Sequence, residues 1–82
     1  MFRTLNELRP GESATVRGLL PDDGRDIVSR LMDLGLTHGA RVRCLFAAPG
    51  GDPRAYRIRG AVIALRSEDA ELVRLCAREA SA

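Results

Sequence analysis

Arg30-Leu31-Met32-Asp33-Leu34-Gly35-Leu36-Thr37-His38-Gly39 closes one element and opens the next. Just before and within it, Ile27, Val28, Leu31 and Met32 recur at helical spacing and form one apolar stripe. Arg25, Asp26, Ser29, Arg30 and Asp33 fall on the opposite side, toward water. Gly35 occupies the position after the helix C-cap, where a left-handed residue is required. Leu36 is then expected to touch Leu31, as in a Schellman closure. His38-Gly39 makes a second turn at once. At the other end, Pro21 stops a preceding strand and Asp22 or Asp23 can cap the helix. Asp26 suits the positive end of the helix dipole.

The flanking sequence reads as short strands. Leu5 and Leu8 are spaced for a helical turn that packs on the core, and Pro10-Gly11 for a type II turn leading to Glu12. Residues 13–20 alternate, with Ala14 and Val16 opposite Thr15 and Arg17. Gly18 inside that run marks a bulge or a close backbone approach. Residues 41–47 form a strand with Val42, Cys44 and Phe46 expected inward, and Leu45 outward between Arg43 and Ala47. The loop 48–53, which includes Asp52 and Pro53, reverses the chain. Tyr56 and Ile58 then alternate with Arg57 and Arg59. After Gly60, residues 61–66 are nearly all apolar and are expected to form a central strand. A helical turn near 67–69 and a last strand carrying Val73 and Leu75 complete the pattern. The expectation is a mainly β domain over residues 1–76: about five strands closed as a small barrel, with one helix between the first two. Residues 77–82 read as a frayed tail.

Composition narrows the class. The chain has 82 residues, enough for one modest core. No apolar run approaches the ~20 residues that span a bilayer. The segment after Met1-Phe2-Arg3 lacks the apolar core of a signal peptide, so the expected location is cytoplasmic. Charge is unevenly spread. Residues 22–33 are net acidic, whereas residues 41–66 hold six arginines against Asp52. There is no lysine. Arginine forks match carboxylate and phosphate groups.

Chemistry-bearing groups are sparse. Cys44 and Cys76 are far apart and match no zinc or redox spacing. His38 is the sole histidine and is read as an exposed turn residue. No serine or cysteine adjoins it to form a nucleophile–base pair. A phosphate-binding glycine loop ending in Lys-Ser or Lys-Thr is absent from the sequence. The expectation is a non-enzyme without a metal or cofactor. Nucleic-acid binding is expected to be weak, because the basic strands lack the exposed aromatics that stack single-stranded bases.

The order of turns resembles the FeoA family, small cytoplasmic proteins encoded beside the ferrous iron transporter FeoB. Pro10-Gly11-Glu12, the stretch from Arg30 to Gly39, the Ala48-Pro49-Gly50-Gly51-Asp52-Pro53 loop, the run from Gly60 to Arg66, and Asp69-Ala70 carry the resemblance. It extends from Leu5 to Leu75, and the structural turns it shares include Gly11, Gly35, Gly39, Asp52, Pro53 and Gly60. His38 departs from the proline common at that position. The resemblance implies an SH3-like barrel with a helix crossing its side, a fold shared with the C-terminal domain of iron-dependent repressors. It also implies an accessory role in ferrous iron uptake, with the cytoplasmic region of FeoB, including its GTP-binding domain, as partner. The membrane would be met only through that partner, and the chain itself would be a monomer or weak homo-oligomer. The alternative is a free-standing regulatory domain for another protein. Leu19 and Leu20 have no clear core phase, and Leu45 points outward by parity among arginines. With Arg43 at their rim they are the candidate contact residues, since apolar centres ringed by arginine suit interfaces.

Overall fold

The computed structural model describes residues 3–20 and 26–76. Six antiparallel strands lie in one sheet: β1 (Arg3–Thr4), β2 (Ser13–Leu19), β3 (Arg41–Ala47), β4 (Arg54–Ile58), β5 (Ala61–Leu65) and β6 (Val73–Leu75). Helix α1 (Ile27–Asp33) joins β2 to β3, and the single turn α2 (Ser67–Ala70) joins β5 to β6. A 3-10 turn at Leu5–Glu7 follows β1. Across the sheet the order is β1-β6-β2-β3-β4-β5. The two outer strands do not pair, so the sheet wraps around its core without closing.

The core forms where the alternation predicts it. Leu5, Leu8, Val16, Leu31, Leu36, Val42, Cys44, Tyr56, Ile58, Val73 and Leu75 are buried together. Burial of apolar area at roughly 25 cal/mol per Å² is the main force holding such a small sheet. Burial also pushes the Tyr56 phenol up to about 12. It raises the Cys44 thiol as well, because the thiolate would lose its water. Cys76 is only half-buried. We therefore expect a thiol reagent to label Cys76 rapidly in the native protein. Cys44 should react only after denaturant is added, and rapid native labelling of both would contradict this core.

The turns follow the residues that specify them. Gly11 has φ +92°, and the Glu12 N–H donates to Arg9 O at 2.9 Å, closing the Pro10-Gly11 turn. At the end of α1, the Leu36 N–H reaches Leu31 O at 3.1 Å and the Gly35 N–H reaches Met32 O at 2.9 Å. Those two bonds make the Schellman closure. Asp26 is the N-cap of the described helix but makes no side-chain cap bond. The proposed Asp22 and Asp23 caps, the Pro21 stop and the 77–82 tail lie outside the described residues.

Five expectations need correction. The sheet, expected to close as a barrel, stays open between its two outer strands, which do not pair. Strand β1, two residues long, is added beside β6, through Arg3↔Leu75 and Thr4↔Arg74. Met32 is 51% exposed rather than core, since the short helix presses only Leu31 fully into the interior. β5 is an edge strand, not a central one. Its apolar run serves two faces unequally, with Leu65 buried and Ile63 packed on the core, but Val62 54% exposed. Phe46 is 61% exposed rather than inward. The cause is a register shift in β3: Cys44 pairs with Tyr56, but Phe46 pairs with Ala55. One residue, Leu45, is extra, and an extra residue inverts the alternation beyond it. A second shift, between Val16 and Gly18, confirms the bulge expected in β2.

Candidate functional site

The bulge at Leu45 decides what the sheet displays. Tyr56 and Ile58 of β4 point into the core, so the alternate positions face outward. Paired residues on neighbouring strands share a face. One outward row therefore runs Ser13, Arg43, Arg57, Val62 from β2 to β5. The next runs Phe46, Ala55, Ala64. Ala55 is buried although it lies outside the core cluster, between Phe46 and Ala64 in its row. Half-buried Leu45 is also absent from the residues packed on the core. The outer face thus carries an apolar patch, Phe46, Ala64 and Val62, beside two arginines.

The other candidate contact residues fall elsewhere. Leu19 pairs with Val73 and packs against the core. Leu20 is half-buried, its N–H bonded to Leu72 O at 2.7 Å. Arg43 is exposed in the outward row. The structure brings Arg43 and Leu45 to the outer face and leaves Leu19 and Leu20 at the β2–β6 side. Phe46 and Val62 are the outward residues that periodicity alone does not find. Only the strand order and the bulge expose them.

Among the six turn residues, Gly11, Gly35, Gly39 and Gly60 all have positive φ. The Asp52-Pro53 peptide is cis, and Asp52 Oδ1 accepts the Ser67 N–H at 2.8 Å, tying the 48–53 loop to α2.

An open cleft of about 230 Å³ adjoins the row of arginines, lined by Ser13, Arg41, Val42, Arg43, Arg57, Arg59 and Gly60. None of its described lining residues is a carboxylate. No ion pair joins Arg41, Arg43, Arg57 or Arg59 to a carboxylate among the described residues. Arg59 Nη2 donates to Thr37 Oγ1 at 3.3 Å. Arg43 and Arg57 stand directly opposite each other, an arrangement that destabilises a bare sheet. By contrast Glu12 is neutralised: the Arg9 N–H and the Arg3 guanidinium hold its carboxyl below the usual range.

Groups of three or more His, Cys, Asp or Glu side chains able to hold an ion are not found among the described residues. His38 is exposed in its turn. No described helix is long and apolar enough to cross a membrane. What the outer face offers is apolar contact beside arginines that no described carboxylate pairs with.

Comparison with known proteins bears on this surface. Residues 3–75 match the FeoA domain. FeoA of Stenotrophomonas maltophilia, crystallised with zinc, is 32% identical, with TM-score 0.84 over 90% of this chain and 89% of that one. It is described as a prokaryotic SH3 domain protein and suggested as a bacterial ferrous iron transport activating factor. A FeoA-like protein of Clostridium acetobutylicum is 30% identical, with TM-score 0.81 over 90% of this chain and 84% of that one. FeoA of Chlorobium tepidum is 32% identical, with TM-score 0.79 over 96% and 76%. A manganese-dependent transcriptional repressor shares the fold at 21% identity and TM-score 0.75, this chain covering 40% of it. No curated protein matches the chain. The fold is SH3-like, left open between β1 and β5. By its match along nearly the whole sequence, the chain belongs to the FeoA domain family.

Proposed function

We propose that this protein is a non-enzymatic accessory factor for ferrous iron uptake, acting in the cytoplasm by binding the cytoplasmic region of the FeoB transporter. The observation that carries the reading is the outer face: Phe46 and Val62 exposed beside Arg43 and Arg57, on a FeoA domain. Aromatic residues and arginines are enriched at interface centres, and this face has both. The apolar centre is Phe46, Leu45 and Val62, with Arg43 at the rim. Leu19 and Leu20 are left out of it because both are tied into the β2–β6 side.

The test is capture of the purified FeoB cytoplasmic region on the tagged chain. Phe46→Asp places a charge at the contact centre without disturbing the core, and should weaken capture by at least about tenfold. Arg43→Ala at the rim should cost less. Ferrous iron uptake in cells should fall in the same order. Full capture and full uptake by a folded Phe46→Asp protein would move the contact elsewhere. Normal uptake in cells lacking the chain would remove the transport role.

The repressor likeness supports a second reading, a free-standing regulatory domain that binds another protein. In that case the outer face would be used but FeoB would not be captured.

A further inference from the structure

Strand β5 is an edge strand of the described sheet and carries no charged residue. It pairs with β4 alone and reads Ala61-Val62-Ile63-Ala64-Leu65. Edge strands are usually protected by lysine, proline, a bulge or an overlying segment. β5 itself has no lysine, no proline and no bulge, its ladder with β4 running without a register shift.

The hairpin geometry fixes which backbone groups are free. Arg59 and Gly60 have φ of 51° and 82°, as in a two-residue primed turn. The pair closing such a turn, Ile58↔Ala61, is a hydrogen-bonded pair. Bonded pairs alternate along an antiparallel ladder, so Tyr56↔Ile63 and Arg54↔Leu65 are also bonded. Val62 and Ala64 therefore direct N–H and C=O away from β4. Neither makes a backbone hydrogen bond to another segment among the described residues. Their side chains lie on the outer face, where both are exposed.

Charge indicates the occupant. The Ala61 end of the edge adjoins the cleft of Arg41, Arg43, Arg57 and Arg59, which no described acid neutralises. The middle of the edge is apolar. A second copy of this chain fits poorly. Antiparallel pairing of two β5 strands centred on Ile63 would bring Arg66 of each copy toward Arg59 of the other.

We infer that the β5 edge accepts an extended segment of a protein partner as an added strand. That segment has apolar or β-branched residues beside Val62 and Ala64, and acidic residues at the end that reaches the arginine cleft. Main-chain bonds to Val62 and Ala64 would supply affinity, and the cleft would set the direction. The inference deepens the proposed partner-binding role and rests on it for the partner's identity, though not for the edge chemistry.

The test uses the full chain and a short synthetic peptide with glutamates at one end followed by alternating valine and threonine. A twin carries lysines in place of the glutamates. Amide hydrogen exchange should show new protection at Val62 and Ala64 with the acidic peptide, and little with its twin. Val62→Pro removes an N–H that points away from β4, so the ladder survives. It should weaken peptide binding by about tenfold or more, as proline blocks edge pairing. Val62→Lys, a natural form of edge protection, serves if the proline variant is unfolded by circular dichroism. Arg57→Gln should erase the preference for the acidic peptide over its twin while keeping the edge protection.

Several results would overturn the inference. One is peptide binding without protection at Val62 and Ala64. Another is equal binding by the Val62 variants. Self-association that depends on Val62 would assign the edge to a second copy. Displacement of the peptide from the cleft by pyrophosphate, with edge protection absent throughout, would assign the arginines to a small anion. Capture of the FeoB cytoplasmic region separates the two claims. Equal capture by wild type and Ala64→Pro, which blocks the edge at its other outward N–H but leaves the Phe46, Leu45 and Val62 side chains in place, leaves the accessory role standing without the edge. Edge protection by the acidic peptide, with no FeoB capture, leaves the edge standing without that partner.

Discussion

Gly35→Val is expected to destabilise the fold by about 2–4 kcal/mol, combining left-handed strain with forced repacking. Gly35 has φ +103°, which a β-branched residue adopts only at a cost. A Cβ there would also sit 3.0 Å from Arg59 Cδ and 3.3 Å from Ile58 Cγ2. The arginine stem can swing aside, but Ile58 is fully buried and cannot. For a domain of this size the loss corresponds to a fall of roughly 10 °C or more in melting temperature. Gly18→Ala is the control: its added Cβ meets no atom within 4 Å, and φ there is not in the left-handed region. It should cost under about 1 kcal/mol. Equal urea midpoints for the two variants would refute the assigned helix stop.

Arg54→Ala is expected to cost about 2–4 kcal/mol, because hydrogen bonds to a charged donor are among the stronger ones. Arg54 Nη1 donates to Asn6 O at 2.8 Å and to Leu8 O at 2.6 Å. Its Nε donates to Gly51 O at 3.2 Å. One guanidinium therefore ties the N-terminal 3-10 turn to the loop before β4. Arg54→Lys should recover only part of the loss, since an ammonium cannot serve both carbonyl sets with a planar fork. Arg57→Ala tests the contrast within the same strand. Arg57 faces another arginine across the sheet, so its removal should leave stability unchanged or slightly raised. If denaturant midpoints fall equally for Arg54→Ala and Arg57→Ala, the tie is not structural.

The contrast between these two arginines shows what sequence reading reaches. The stop at Gly35 and the turn at Gly11 are local: a few residues decide them, and both were legible. The bounds of β3 and the inward Tyr56 and Ile58 were legible because alternation there is unbroken. The fate of Phe46 was not, because the inserted residue that turns it outward is defined only against β4. The edge position of β5 was hidden for a related reason. An apolar run indicates burial on two faces, but neighbours come from the chain's path, which periodicity does not encode. Arg54 and Arg57 look alike in the sequence. Only the approach of a turn some 46 residues upstream in the chain separates a partly buried tie from a surface charge. The candidate site was therefore half visible: Arg43 and Leu45 by parity, Phe46 and Val62 only through topology.

The pairing of Arg3 with Leu75 has an evolutionary consequence. The described chain enters and leaves the domain side by side, on adjacent antiparallel strands. A module built this way can be spliced between, or appended to, other polypeptides with little rearrangement of its interior. It also suits circular permutation, in which a short bridge joins the old ends and new ones open at a distant turn. That architecture gives a physical basis for the same wrapped sheet standing nearly alone in one setting and forming a minor part of a longer repressor in another.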